Sequence, residues 1–313
     1  MSGQMFLGSL SKEFSLALGS VFLCFLAGTY LPTLGTPLFF LTPVPVIIFI
    51  HRQGLNLGLM LLAVATVVVS LLFGSLYGMG AIVNFGVLSV CLSFYMARKD
   101  NRALAVLKTT VVSLAVVYIL TFIVAQTKSG SFDQLVRQQI DMTVSEAIRL
   151  YDQMKLPASQ KVEITDSLLV MKEIFKTIYW GFFAAFTLGV VLANDLVGRI
   201  ALRKINISQT EISFAYFSFP DELVWGFIAS AGLWFLKLPP FDWVGINSAI
   251  FFIMLYLLQG AAVVTFILEK KKISVFLKVM GGLILAFQPI FLVIIVGTGI
   301  FDIWFDFRKI RKA

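Results

Sequence analysis

Residues 39–54 read "FFLTPVPVIIFIHRQG", a run apolar enough to lie in lipid that carries two prolines and ends at His51 and Arg52. If this run crosses a membrane, the basic loops that follow it fall on one side. If it dips in and returns, every later loop changes sides.

The rest of the chain supplies the medium. Of its 313 residues 59% are hydrophobic and 13% charged, and the mean hydropathy is +0.93, which lies outside the range of a soluble domain. Apolar runs occupy 15–31, 37–50, 55–73, 76–97, 104–125, 174–196, 222–236, 244–268 and 275–301, and about 17–25 residues are needed to cross a hydrocarbon core. In lipid each segment must satisfy its own backbone, so the expected fold is all-α, a polytopic transmembrane helical bundle of about 8–9 spans. The run at 15–31 has no small-residue cleavage site after it and reads as a retained first helix.

Lysine and arginine in short loops mark the cytoplasmic side. With the N-terminus cytoplasmic and 37–50 crossing, "HRQG", "ARKDNR", "GRIALRK" and "EKKK" fall together inside, and the loops "PTLGTP", "GSLYG" and "LKLPPFD" fall outside. A crossing explains both prolines: Pro45 suits the first turn of a helix starting near Val44, and Pro43 stiffens its start. The preceding "TPLFFLTP" is then expected to be irregular backbone at membrane depth, tolerated only where protein or a cavity covers it. The run 275–301 is the exception to the charge pattern, because a single crossing places Arg308 and Lys309 outside. A break at Gln288–Pro289 would make two half-spans and return the tail to the cytoplasm.

Residues 126–176 differ from their surroundings. They hold seven basic residues (Lys128, Arg137, Arg149, Lys155, Lys161, Lys172, Lys176) and seven acidic ones (Asp133, Asp141, Glu146, Asp152, Glu163, Asp166, Glu173), and so carry no formal charge. Apolar residues from Phe132 through Ile140 and Ile148 to Met154 recur at helical spacing. Pro157 separates this helix from a second one that begins near Ser159 and runs into the next span. The division is N-terminal helices 1–125, an extracytoplasmic helical hairpin 126–173 expected to pack over the bundle, and C-terminal helices 174–313. On the opposite side, Phe214, Tyr216, Phe217 and Phe219 read as interfacial anchors.

The net charge of +8 is spread through short loops and does not form a nucleic-acid-binding face. No phosphate-binding, dinucleotide-binding or hydrolase motif is present, so an enzyme is not expected. The one histidine, His51, has no clustered Cys, Asp or Glu, and neither a metal nor a cofactor is expected. Cys24 and Cys91 both lie in apolar runs, without a CxxC pair. The remaining candidates are polar groups inside apolar runs: Asn84, Lys108, Asn194, Asp195, Asn247, Gln259, Gln288, Asp302 and Asp306. Asp195 is expected to pair with Arg199 one turn on, and Asp302, Asp306 and Arg308 to form a local charge set. Glycines at 54, 58, 78, 80, 281 and 282 are expected to allow close helix packing.

"LTPVPVIIFIHRQGLNLGLMLLAVATVVVSLLFG", "FPDELVWGFIAS", "GINSAIFFIMLYLLQGAAVVTFIL" and "GIFDIWFDFRK" together resemble the YybS-like family of bacterial membrane proteins over nearly the whole chain. The N-terminal part is also similar to the substrate-binding S components of energy-coupling-factor transporters. Proline-interrupted spans beside a covering loop, with uncharged amides that can orient a neutral solute, point to a small-molecule binding or transport component of a bacterial cytoplasmic membrane, resembling those S components, with Pro43, Pro45, Asn84, Asn247 and Gln259 around the solute and an ATPase module in another chain. The alternative is a non-transporting scaffold in envelope assembly, whose partners are the bilayer and another membrane protein.

Overall fold

The structure is a computed structural model that describes residues 2–74, 78, 80–98, 101–127, 131–154, 156–207, 213–286 and 288–310. Among them there is no strand. The helices are α1 (Ser2–Tyr30), α2 (Pro32–Phe40), α3 (Pro43–Gln53), α4 (Leu55–Phe73), a π-helical turn (Ile82–Val87) leading into α5 (Leu88–Arg98), α6 (Arg102–Thr127), α7 (Phe132–Gln153), α8 (Ala158–Lys204), α9 (Leu223–Phe235), α10 (Phe241–Lys270), α11 (Val275–Ala286) and α12 (Pro289–Phe305). Among the described residues six segments are long and apolar enough to cross a membrane, and three shorter apolar helices accompany them. The chain is an all-α polytopic bundle.

The opening stretch is more helical than its prolines suggest. Pro37 lies inside α2, and only Leu41 and Thr42 interrupt the path from α2 to α3. Close packing of α2 on α1 overrides the proline: a side chain at Gly28 would strike Phe39, and one at Gly35 would strike the Ala27 carbonyl. Pro43 begins α3, where a missing N–H leaves no bond unmade. The interruption is covered by protein. Leu41 and Thr42 donate their N–H groups to Leu38 and Phe39 at 3.1 and 3.2 Å, and Thr42 Oγ1 donates to the Phe39 carbonyl at 2.6 Å. From α8, Asn194 Nδ2 donates to the Phe40 carbonyl at 2.8 Å. At its far end α3 turns at Gly54, whose φ of 91° would strain any other residue.

The basic loops gather at one end of the bundle. Glu13 of α1 accepts hydrogen bonds from Arg52 and Gln53 at 3.4 and 2.7 Å. Asp195, fully buried in α8, takes Arg102 Nε at 2.5 Å and Arg199 Nε at 2.8 Å. The pairing with Arg199 is the expected one, and Arg102 adds a link from α8 to the start of α6. Ser213, beyond α8, donates to Glu269 near the end of α10 at 3.2 Å.

The C-terminal run does break before Pro289, and its tail returns to the same neighbourhood. Asp302 and Arg308 are buried and joined at 2.6 Å, and Arg308 Nη1 donates to the carbonyls of Ala215 and Phe217 at 2.9 and 2.8 Å. These bonds draw the segment between α8 and α9 inward. Phe217 and Phe219 are therefore core residues, 2% and 3% exposed, and only Tyr216, at 48%, matches the anchoring role expected of all four aromatics. Burial is possible because the unpaired backbone there finds side-chain partners. α10 also crosses α12 closely, where any side chain at Gly260 or Gly299 would collide with the opposing backbone. Gly58 and Gly78 also sit against neighbours, whereas Gly80, Gly281 and Gly282 face open space.

The middle segment departs most from expectation. α7 starts at a capping box, with Ser131 and Gln134 exchanging side-chain-to-backbone bonds, and runs antiparallel to the first half of α8. The register is set by Tyr179 with Asp133, Lys176 with Asp141, and Lys161 with the Asp152 carbonyl. The 47 residues of α8 extend about 70 Å at about 1.5 Å per residue, against about 30 Å of hydrocarbon. With neither Gly nor Pro between Ser159 and Trp180 to bend it, the helix carries the hairpin out as an arm along its own axis instead of folding it over the bundle. Ile140 and Ile148 are half-buried on the α8-facing side of α7. Replacing both with Asp should cost roughly 1–3 kcal/mol per site and separate the helices. Limited proteolysis should then cut residues 132–176 faster while the bundle stays intact.

Candidate functional site

The base of the arm holds a set of paired polar side chains at the end of the bundle opposite the basic loops. Asp133 accepts from Tyr179 Oη at 2.5 Å and from Arg137 Nε at 2.6 Å. Partial burial opposes ionisation of Asp133, but the hydrogen bonds from Tyr179 and Arg137 outweigh it and hold the carboxyl below its usual range. Two turns on, the hydrogen bond from Lys176, at 2.6 Å, lowers the pKa of Asp141, and Lys172 adds to the effect from 3.6 Å. Beside these charges an apolar cleft of about 370 Å³ lies between the two helices, lined by Val136, Tyr179, Trp180, Phe182, Phe183 and Phe186. Further out, Leu135, Met142 and Leu150 of α7 and Val162 and Val170 of α8 are exposed. The arm therefore combines a charge-latched base with apolar side chains open to the surroundings.

The residues expected to surround a solute do not converge. Pro43 is buried and Pro45 half-buried in the first turn of α3, and the side chain of Asn84 lies outside the described residues. Asn247 Oδ1 accepts from the Gly181 N–H at 2.7 Å, while its Nδ2 donates to the carbonyls of Thr177 and Trp243 at 2.8 and 2.9 Å. One carboxamide thus bridges a turn of α8 and locks it to α10. Gln259 lies about 18 Å further along α10. Its Oε1 accepts from Phe219 N–H at 3.3 Å, and its Nε2 donates to the Gly299 carbonyl at 3.2 Å. Both amides are occupied by protein. Among the described residues, no group of three or more His, Cys, Asp and Glu side chains could hold a metal. Tyr179 and Arg102 carried no sequence signal, since an aromatic residue and a loop arginine are common, and their partners lie 46 and 93 residues away.

Residues 20–303 match the family described as "Predicted membrane protein (DUF2232)", and the chain belongs to it. A relative is the "Uncharacterized protein YybS" of Bacillus subtilis (strain 168), 22% identical over 289 residues that cover 90% of this chain and 91% of the relative. No solved structure matches. These matches bear out the YybS-like resemblance and do not extend to S components.

A carboxyl held below its unfolded pKa stabilises the fold above the unfolded value, about 3.9, and loses that contribution as pH falls through the lowered folded value. The base of the arm should therefore stay latched at pH 4 and loosen only in stronger acid. Tyr179→Phe should move the loosening to higher pH, measured by distance labels at Arg149 and Ser167. Asn247→Leu should lower stability by about 1 kcal/mol by removing the hydrogen bonds that lock α8 to α10, since the Thr177 carbonyl and the Gly181 N–H can then pair with each other along the helix; thermal unfolding in detergent reads the change.

Proposed function

We propose that this member of the DUF2232 family is a non-transporting scaffold of a bacterial cytoplasmic membrane, with its N-terminus and basic loops in the cytoplasm and its helical arm presented to an envelope protein outside. The observation that carries this reading is the unbroken 47-residue α8, too long for its span alone and paired over its outer half with α7. Exposed Leu135, Met142, Leu150, Val162 and Val170 supply apolar contacts for a partner. The orientation rests on the positive-inside trend, which the clustering of basic loops makes self-consistent. The occupied amides of Asn247 and Gln259 favour this reading over a neutral-solute carrier, and no catalytic step is part of it.

Photo-crosslinking residues placed at Met142 and Leu150 in living cells should capture one envelope protein. The same residue at Leu71, 80% exposed on α4, should not, and Leu135→Lys with Val162→Lys should abolish the capture. An arm that cross-links nothing, in a protein whose thermal unfolding a neutral solute shifts upward, would overturn the proposal in favour of a solute-binding component.

A further inference from the structure

The apolar cleft at the base of the arm lies at a depth that decides what can fill it. Its walls are Val136 of α7 and Tyr179, Trp180, Phe182, Phe183 and Phe186 of α8, around about 370 Å³. α8 serves as the ruler. Arg199, at the basic end, marks one face of the membrane, and about 30 Å of hydrocarbon at about 1.5 Å per residue brings the other face to the level of Tyr179 and Trp180. Tyr118 of α6 lies 6.3 Å from Trp180, ring centre to ring centre, so three aromatic residues with polar tips gather where an interfacial belt is expected. No charged residue occurs between Trp180 and Asn194. Phe182, Phe183 and Phe186 therefore lie in the hydrocarbon, down to about 10 Å below the boundary.

The cleft is continuous with the lipid-facing surface. Phe182 and Phe186 are 57% and 43% exposed, and Tyr118, Ile119 and Phe122 are exposed on the adjoining α6. Phe40 of α2 packs edge-on against Phe186 at 4.9 Å, so the inner end of the cleft rests on the bundle. Water is a poor filler: it needs about 2–4 polar partners, and the one hydroxyl in the lining, on Tyr179, already donates to Asp133. A partner helix is too large, since two turns of it, about 10 Å across and about 11 Å long, displace more than twice the volume of the cleft. A hydrocarbon chain is narrow, flexible and needs no hydrogen bond.

We propose that the cleft between the base of α7 and α8 holds one acyl chain of a phospholipid from the leaflet on the arm's side. The chain packs between Val136 and the three phenylalanines and ties the arm to the bilayer at its base. The ion pairs above the cleft, Asp133 with Arg137 and Asp141 with Lys176, carry both signs, so the site selects the chain and not the charge of the headgroup. This inference is independent of the scaffold reading and of which side of the membrane the arm occupies.

The test uses the full chain in phosphatidylcholine vesicles that contain a trace of phosphatidylcholine with a photoactivatable diazirine in one acyl chain, and labelled residues are mapped by mass spectrometry. Labelling should concentrate on Val136 and residues 180–186 and exceed that at Leu71, which is 80% exposed on α4 and measures ordinary lipid contact. Val136→Trp fills the cleft from its half-buried edge and should reduce labelling of Phe182, Phe183 and Phe186 to the Leu71 level, with Leu71 unchanged. A second measurement needs no variant. In neutral detergent, palmitoyl lysophosphatidylcholine and palmitoyl lysophosphatidylglycerol should both displace the labelled lipid from the wild-type protein, whereas glycerophosphocholine, which has no chain, should not. The proposal is overturned if labelling in the cleft does not exceed that at Leu71, if Val136→Trp folds and leaves it unchanged, or if glycerophosphocholine competes as well as the single-chain lipids. Should Val136→Trp fail to fold, the competition decides.

Discussion

Inside a bilayer a backbone group that lacks a partner has no water to fall back on, and this chain is built around three carboxamides that meet that requirement. Asn194 caps the Phe40 carbonyl where α2 gives way to α3. Asn247 bridges one turn of α8, and Gln259 serves both the non-helical segment before α9 and the α12 backbone. An amide can donate and accept without the cost of burying a charge. Each of the three joins elements far apart in sequence, so satisfying the backbone and fixing the tertiary arrangement are the same event.

The buried charges do a related job at higher cost. Asp195 with its two arginines joins the start of α6 to α8, and Asp302 with Arg308 anchors the tail to the segment before α9. Such pairs add little net stability relative to apolar packing, but losing one partner is costly, roughly 3–5 kcal/mol. They therefore select one arrangement of the loops more than they strengthen it. Both clusters lie at the end where the basic loops gather, so one end of the bundle is rigidly specified.

The arm is held differently. Its latches at Asp133, Arg137, Asp141 and Lys172 are substantially solvent-accessible ion pairs and hydrogen bonds, which contribute modestly because water competes for them. An arm of two amphipathic helices with a shallow shared seam belongs at the low-stability end of the structure, where opening and partner exchange are cheapest. Rigidity at one end and adaptability at the other are what the proposed scaffold role requires.

The amino-acid sequence alone determined the medium, the helical class, the charge pattern of the loops and the amphipathic hairpin, because these follow from local properties: run length, hydropathy, helical period and the placement of Lys and Arg. It also determined the pairing of Asp195 with Arg199, four residues apart on one helix. The tertiary structure decided what each polar group does. From sequence Asn247 and Gln259 suit hydrogen bonds between helices and, less readily, ligand contacts; their partners Gly181, Phe219 and Gly299 are set only by the fold. Pro37 reads as a helix breaker until α1 packs against α2. The hairpin expected to cover the bundle is instead an arm, because α7 pairs with the outer half of an α8 that continues without Gly or Pro to bend it. In each case the deciding partner lies tens of residues away or on another helix, and no periodicity within a single segment can encode a contact between two.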